Sequence, residues 1–137
     1  MQGQFLGKRQ RFREEGLWAV DPPEHYTEGK FLTWSDELPM GFRGPDSPEG
    51  GDIEFHLRVV QHHLTAVRNG LLLAKRLGRI LVLPRFICFC DKHWTPILPQ
   101  CAMANSDLKP PFFCPLDHIL NPTAFFHGAA TMGVDVR

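Results

Sequence analysis

The sequence predicts an α/β fold: a partial Rossmann-like unit with one long helix leading into a buried strand, followed by a disulfide-rich loop region. Three observations predict it. Val60, Leu64, Val67, Leu71 and Ala74 recur at spacings of four, three, four and three, which traces one face of an α-helix. Residues 79–84 (RILVLP) follow at once, with four consecutive apolar positions between a glycine and a proline, the pattern of a strand buried on both faces. All four cysteines, Cys88, Cys90, Cys101 and Cys114, fall downstream of that strand within one short stretch.

A chain of 137 residues allows one domain. Its 15 basic and 15 acidic residues cancel, which argues against a general nucleic-acid binder, since those carry a basic excess. Hydrophobic residues make up 43%, enough for a core, while 12 glycines and 12 prolines commit much of the chain to loops. No apolar run is long enough to span a membrane. The first ten residues (MQGQFLGKRQ) lack the apolar stretch of a secretory signal; if the protein works in the secretory pathway, its targeting segment is expected on another part of the polypeptide.

Taken in order, residues 1–50 read as an extended or poorly ordered N-terminal arm, and residues 51–137 as an incomplete α/β segment. Lys8, Arg9, Arg11 and Arg13 form a basic cluster that reads as a solvated face or tail. Pro22 and Pro23 impose an extended or turn conformation. Residues 31–34 are a short β-prone run, and residues 40–51 have the composition of a loop. Asp52 is placed to cap the long helix, Lys75 and Arg76 suit its last turn, and Gly78 is the expected stop. Gly70 costs the helix interior about 1 kcal/mol relative to alanine, and permits a close neighbour.

A helix running straight into a strand is half of a βαβ crossover. Residues 31–34 are the one candidate for the preceding strand. A strand buried on both faces needs partners, and with one good strand in view its partners are expected from beyond the chain. Asn121 followed by Pro122 opens a further short helix over 122–127.

The cysteine spacing is C-x-C, then ten residues, then twelve, without the C-x₂-C pairs usual at zinc. It predicts a disulfide framework, with buried thiols and zinc as the alternatives. Cys88 and Cys90 would each pair with Cys101 or Cys114. His56, His62 and His63 lie on the helix without an H-E-x-x-H pattern and read as surface or boundary histidines.

Candidate substrate-binding residues are Arg68 and Asn69, because helix positions near the carboxyl end of a sheet can line ligand crevices, the acid–imidazole neighbours Asp117 and His118, and Arg85 after the strand, which enters with the nucleotide-sugar alternative given below. Arg68 has a structural alternative as a snorkelling side chain, and Asp117 as a turn cap. G-x-G-x-x-G, Walker and G-x-S-x-G motifs are absent, as is D-x-D.

Three separated motifs occur in one order: residues 62–84 (HHLTAVRNGLLLAKRLGRILVLP), 88–96 (CFCDKHWTP) and 111–119 (PFFCPLDHI). Together with residues 21–33 (DPPEHYTEGKFLT), this stretch of roughly 16–120 resembles the plant and algal arabinosyltransferases of glycosyltransferase family 77. The resemblance implies a Golgi enzyme, anchored in the membrane and facing the lumen. It would transfer arabinose or a related pentose from a nucleotide sugar, UDP-arabinofuranose, to a cell-wall glycoprotein or polysaccharide. It further implies a D-x-D domain with Mn²⁺ or Mg²⁺.

The match lies downstream of that domain. No metal or cofactor is therefore assigned to this chain, its partner is the remainder of the glycosyltransferase, and alone it is expected to be inactive. The helix–strand rhythm is also similar to O-fucosyltransferase-like enzymes, which would make it a nucleotide-sugar-binding half with Arg68 or Arg85 near a diphosphate. A third reading is a non-enzymatic interaction module using the basic arm, Trp18, Trp34 and Trp94.

Overall fold

A computed structural model of the chain describes residues 3–35, 37–42, 53–89 and 111–137. Asp52, Cys90, Trp94 and Cys101 lie outside the described residues, as does most of the 40–51 loop. The elements are α1 (Gly3–Glu14), α2 (Glu24–Thr27), β1 (Phe31–Leu32), a 3₁₀ turn (Met40–Phe42), α3 (Ile53–Leu77), β2 (Ile80–Leu81), β3 (Phe86–Cys88), β4 (Phe112–Cys114), α4 (Leu116–Ile119) and α5 (Pro122–Thr131). Among the described residues, no helix is long and apolar enough to cross a membrane.

α3 is the helix that the apolar period predicts, with its inward face turned slightly. Phe55, Val59, His63, Val67, Gly70 and Ala74 are buried, whereas Leu64 is exposed. His56 and His63 are buried too, which corrects their reading as surface or boundary histidines. The period alone misplaced the two imidazoles because a polar residue counts against burial until its partner is known; His63 Nε2 meets the Ile87 carbonyl oxygen at 2.9 Å. Gly78 ends α3 with φ 59°, the left-handed conformation a C′ glycine supplies.

β2 follows directly and pairs in parallel with β1, Phe31 opposite Ile80 and Leu32 opposite Leu81. On its other side Leu81 forms a parallel bridge with Val136, where Leu81 donates to the Asp135 carbonyl and Arg137 donates back to Leu81, each at 2.9 Å. The strand therefore finds neighbours on both sides within the chain, which overturns the expectation that they come from beyond it. β1 is the strand that residues 31–34 predict, although two residues long; the neighbour on the other side is too short to announce itself, with Val134 and Val136 buried around an exposed Asp135. Leu81, with no exposed surface, centres a core with Ala74, Ala129, Val134 and Val136.

A second core gathers Val67, Phe86, Cys88, Leu116 and Ile119. It lies under the antiparallel pair β3–β4, in which Phe86 faces Cys114 and Cys88 faces Phe112. A disulfide joins Cys88 to Cys114 across this pair, with Cα atoms 5.9 Å apart.

Where the sequence reads as an extended arm, residues 3–14 form α1, packed on α4 and α5. Its sequence shows no apolar stripe, so its position comes from tertiary contacts. Gly7 is buried beside Asp117, and Arg11 donates to both Asp117 carboxylate oxygens at 2.9 and 3.1 Å. α5 begins as expected, with Asn121 Oδ1 accepting the Ala124 N–H at 3.1 Å, and runs on to Thr131.

Candidate functional site

Residues 82–85 leave the carboxyl end of β2, and Arg137 follows the Val136 bridge. With α1, α2 and β4 they enclose a cleft of about 530 Å³. It lies outside the carboxyl ends of parallel strands, the place where open α/β sheets bind ligands. Four arginines line it: Arg11, Arg13, Arg85 and Arg137.

Three of these arginines are held by aspartates. Arg11 pairs with Asp117. Arg13 grips Asp21 with two hydrogen bonds of 2.7 Å, both side chains being largely buried. Arg137 donates from Nε to Asp135 at 3.1 Å and from its terminal nitrogen to the carbonyls of His25 and Glu28. The fourth, Arg85, lies over the Phe113 ring, 3.9 Å from its centroid, in a cation–π contact.

Asp21 is the hub of the α1–α2 corner. The Tyr26 hydroxyl donates to it at 2.7 Å, and His25 Nε2 lies 4.0 Å away. The Arg13 hydrogen bonds hold the Asp21 carboxyl well below the usual carboxylate range. The same carboxylate pushes the Tyr26 phenol above its ordinary value, because losing the proton would break their hydrogen bond. Glu14 accepts from the Leu116 N–H at 3.2 Å and from Gln10 at 3.3 Å; burial raises its pKa more than these bonds lower it.

Among the sequence-predicted residues, Arg85 lines the cleft. Asp117 stands behind it and fixes Arg11. His118 is exposed, with its ring 5.9 Å from that of His56. Arg68 and Asn69 are exposed on α3 and do not line the cleft. Arg13, Asp21, Tyr26, Phe113 and Arg137 were not singled out by sequence. Arg13 sat in a basic cluster read as a solvated tail; the available signal was the family resemblance, whose segments 21–33 and 111–119 contain Asp21, Tyr26 and Phe113.

A ring nitrogen of His118 lies within 4.8 Å of the Cys88 and Cys114 sulfurs, but those sulfurs are bonded to each other. Asp21, Asp117 and Asp135 behind the cleft are engaged by arginine, and Glu14 and Glu15 in its lining belong to no group of three or more ligating side chains among the described residues. The described residues thus do not present the set of hard oxygen ligands that Mn²⁺ or Mg²⁺ requires.

Parallel strands joined through a long helix, with an arginine- and aromatic-lined cleft beyond the carboxyl end of β2, define a small α/β unit. A stretch of 114 residues, 82% of this chain, is 34% identical to Arabinosyltransferase XEG113 of Arabidopsis thaliana and spans 17% of that protein. The chain therefore carries a plant arabinosyltransferase-related region. No protein-family model matches it, and no solved structure matches it.

Proposed function

We propose that this chain acts as a Rossmann-like, non-metal part of a Golgi glycosyltransferase that moves arabinose from a nucleotide sugar onto a cell-wall glycoprotein or polysaccharide. The observation that carries the reading is the 34% identity over 82% of the chain to an arabinosyltransferase. The β1–α3–β2 crossover supports it, since parallel strands joined by a helix are the unit from which Rossmann-like domains are built. In this reading the Mn²⁺ or Mg²⁺ and the D-x-D carboxylates belong to another part of the enzyme, and the region described here positions substrate without touching the metal.

The test is a chimera in which this chain replaces the matching region of Arabinosyltransferase XEG113. The expected result is retained transfer of arabinose. A chimera produced at the relative's level that transfers none would overturn the reading.

A further inference from the structure

We infer that the cleft binds an uncharged oligosaccharide and not the diphosphate of a nucleotide sugar, a reading of substrate class that rests on the transferase function proposed above. Charge decides it. Four guanidinium groups line the cleft, but Glu14 and Glu15 line it as well, and Asp117, Asp21 and Asp135 are bonded to Arg11, Arg13 and Arg137. Four cations thus stand against five carboxylates, so the cleft has no cationic excess to attract a diphosphate.

Pulling an arginine onto a phosphate would also strip its aspartate of a partner. The bare carboxylate would then face an incoming anion. For the Arg13–Asp21 pair this is the most costly, because Asp21 would lose two hydrogen bonds of 2.7 Å from the guanidinium.

An uncharged sugar requires none of this. A hydroxyl both donates and accepts, so it can take an N–H left over on a lining arginine and donate to Glu14 or Glu15 while the arginine–aspartate pairs stay intact. Sugar rings also present apolar C–H faces, and two aromatic side chains at the cleft remain about half exposed: Tyr26 at 52% and Phe113 at 56%. Arg85 over Phe113 extends that surface with a planar group. A mainly apolar wall with a few fixed polar groups is the usual make-up of a small-molecule site.

Titration calorimetry of the full chain with a neutral arabino-oligosaccharide, and separately with uridine diphosphate, tests this. The oligosaccharide should bind with an affinity insensitive to salt, because no net charge is neutralised. Phe113→Ala should weaken it by about tenfold, whereas Arg68→Ala, on the far helix, should leave it unchanged. Both positions are exposed, and a thermal melt of each variant confirms folding.

Binding of uridine diphosphate in preference to the sugar overturns the inference. So does binding of neither ligand, or sugar binding untouched by Phe113→Ala. These outcomes are separate from the chimera, whose loss of arabinose transfer would remove the enzyme reading while leaving the measured ligand preference in place.

Discussion

Gly70 on α3 and the indole of Trp34 meet with no room for a side chain between them. A Cβ at Gly70 would stand 2.6 Å from Trp34 Cζ3 and 3.3 Å from Leu81 Cδ1. The glycine lets α3 close down on the β1–β2 pair, which in turn fixes where the carboxyl ends of the strands open into the cleft.

Gly70→Ala should therefore destabilise the fold. The added methyl gains about 1 kcal/mol of helix propensity, but forcing an indole ring aside in a packed core costs about 1–3 kcal/mol. At 2.6 Å the second effect wins. Gly128→Ala in α5, where a Cβ meets nothing within 4 Å, should instead stabilise by roughly 0.5–1 kcal/mol. Urea unfolding of the two variants should give shifts of opposite sign. A stabilised Gly70→Ala would mean that Trp34 does not sit against α3.

The Asp21–Tyr26 hydrogen bond offers an optical readout, because Tyr26 is the one tyrosine in the chain. Its phenolate absorbance should appear with a midpoint above the ordinary 10.0, and Asp21→Asn should bring that midpoint down toward it. The carboxyl has the complementary signature. Its pKa is depressed on folding, so its contribution to stability is whole above the ordinary 3.8 and is lost as the pH falls through the lower folded value. The gap in melting temperature between the native chain and Asp21→Asn should then close in acid. A gap that widens as the pH drops would contradict the Arg13–Asp21–Tyr26 arrangement.

How much of this could be read from sequence depended on how local each signal was. α3 and β2 were legible because a 25-residue helix repeats its apolar period many times and Gly78 marks its end. β1 was legible as the β-prone run 31–34, of which two residues pair with β2, whereas the Val136 bridge was not, since it is too short to stand above background and is defined by pairing with Leu81. α1 was missed because nothing in its composition favours burial of one face.

The cleft was the least legible part. Its walls join residues far apart in the chain, as when Arg137 reaches the His25 carbonyl across 112 positions. Spacing also left Cys101 and Cys114 open as partners for Cys88. The β3–β4 register places Cys114 two positions from the residue opposite Cys88, within bridging distance.

The Cys88–Cys114 bridge should contribute heavily to stability for a chain of this size. It closes a loop with a sequence separation of 26 residues. The chain-entropy relation puts such a loop at about 3.5 kcal/mol. Replacing both cysteines with serine should lower the unfolding free energy by an amount of that order, and should abolish any further loss on adding reductant that this bridge accounts for. Equal stability of the double variant and the native chain under oxidising conditions would remove the bridge as a structural tie between β3 and β4.

His63 gives a last, pH-dependent test. The Ile87 carbonyl can only accept, so His63 Nε2 must carry the hydrogen of their 2.9 Å contact. Burial pushes the His63 pKa down, and the neighbouring His62 and His56 add to that, against a smaller upward effect of the Ile87 bond. The unfolded chain thus takes up a proton at His63 near the ordinary 6.5, while the folded chain resists until the pH is lower. More protons on the unfolded side mean that stability falls as the pH drops through this window. The chain holds six other histidines, so the native slope alone does not isolate the effect. His63→Gln keeps a donor for the Ile87 carbonyl and removes the titration. Between about pH 8 and pH 5, the range of imidazole protonation, the native chain should lose more stability than the glutamine variant. Parallel curves would show that His63 is as well solvated as it would be in the unfolded chain, and therefore not buried against β3.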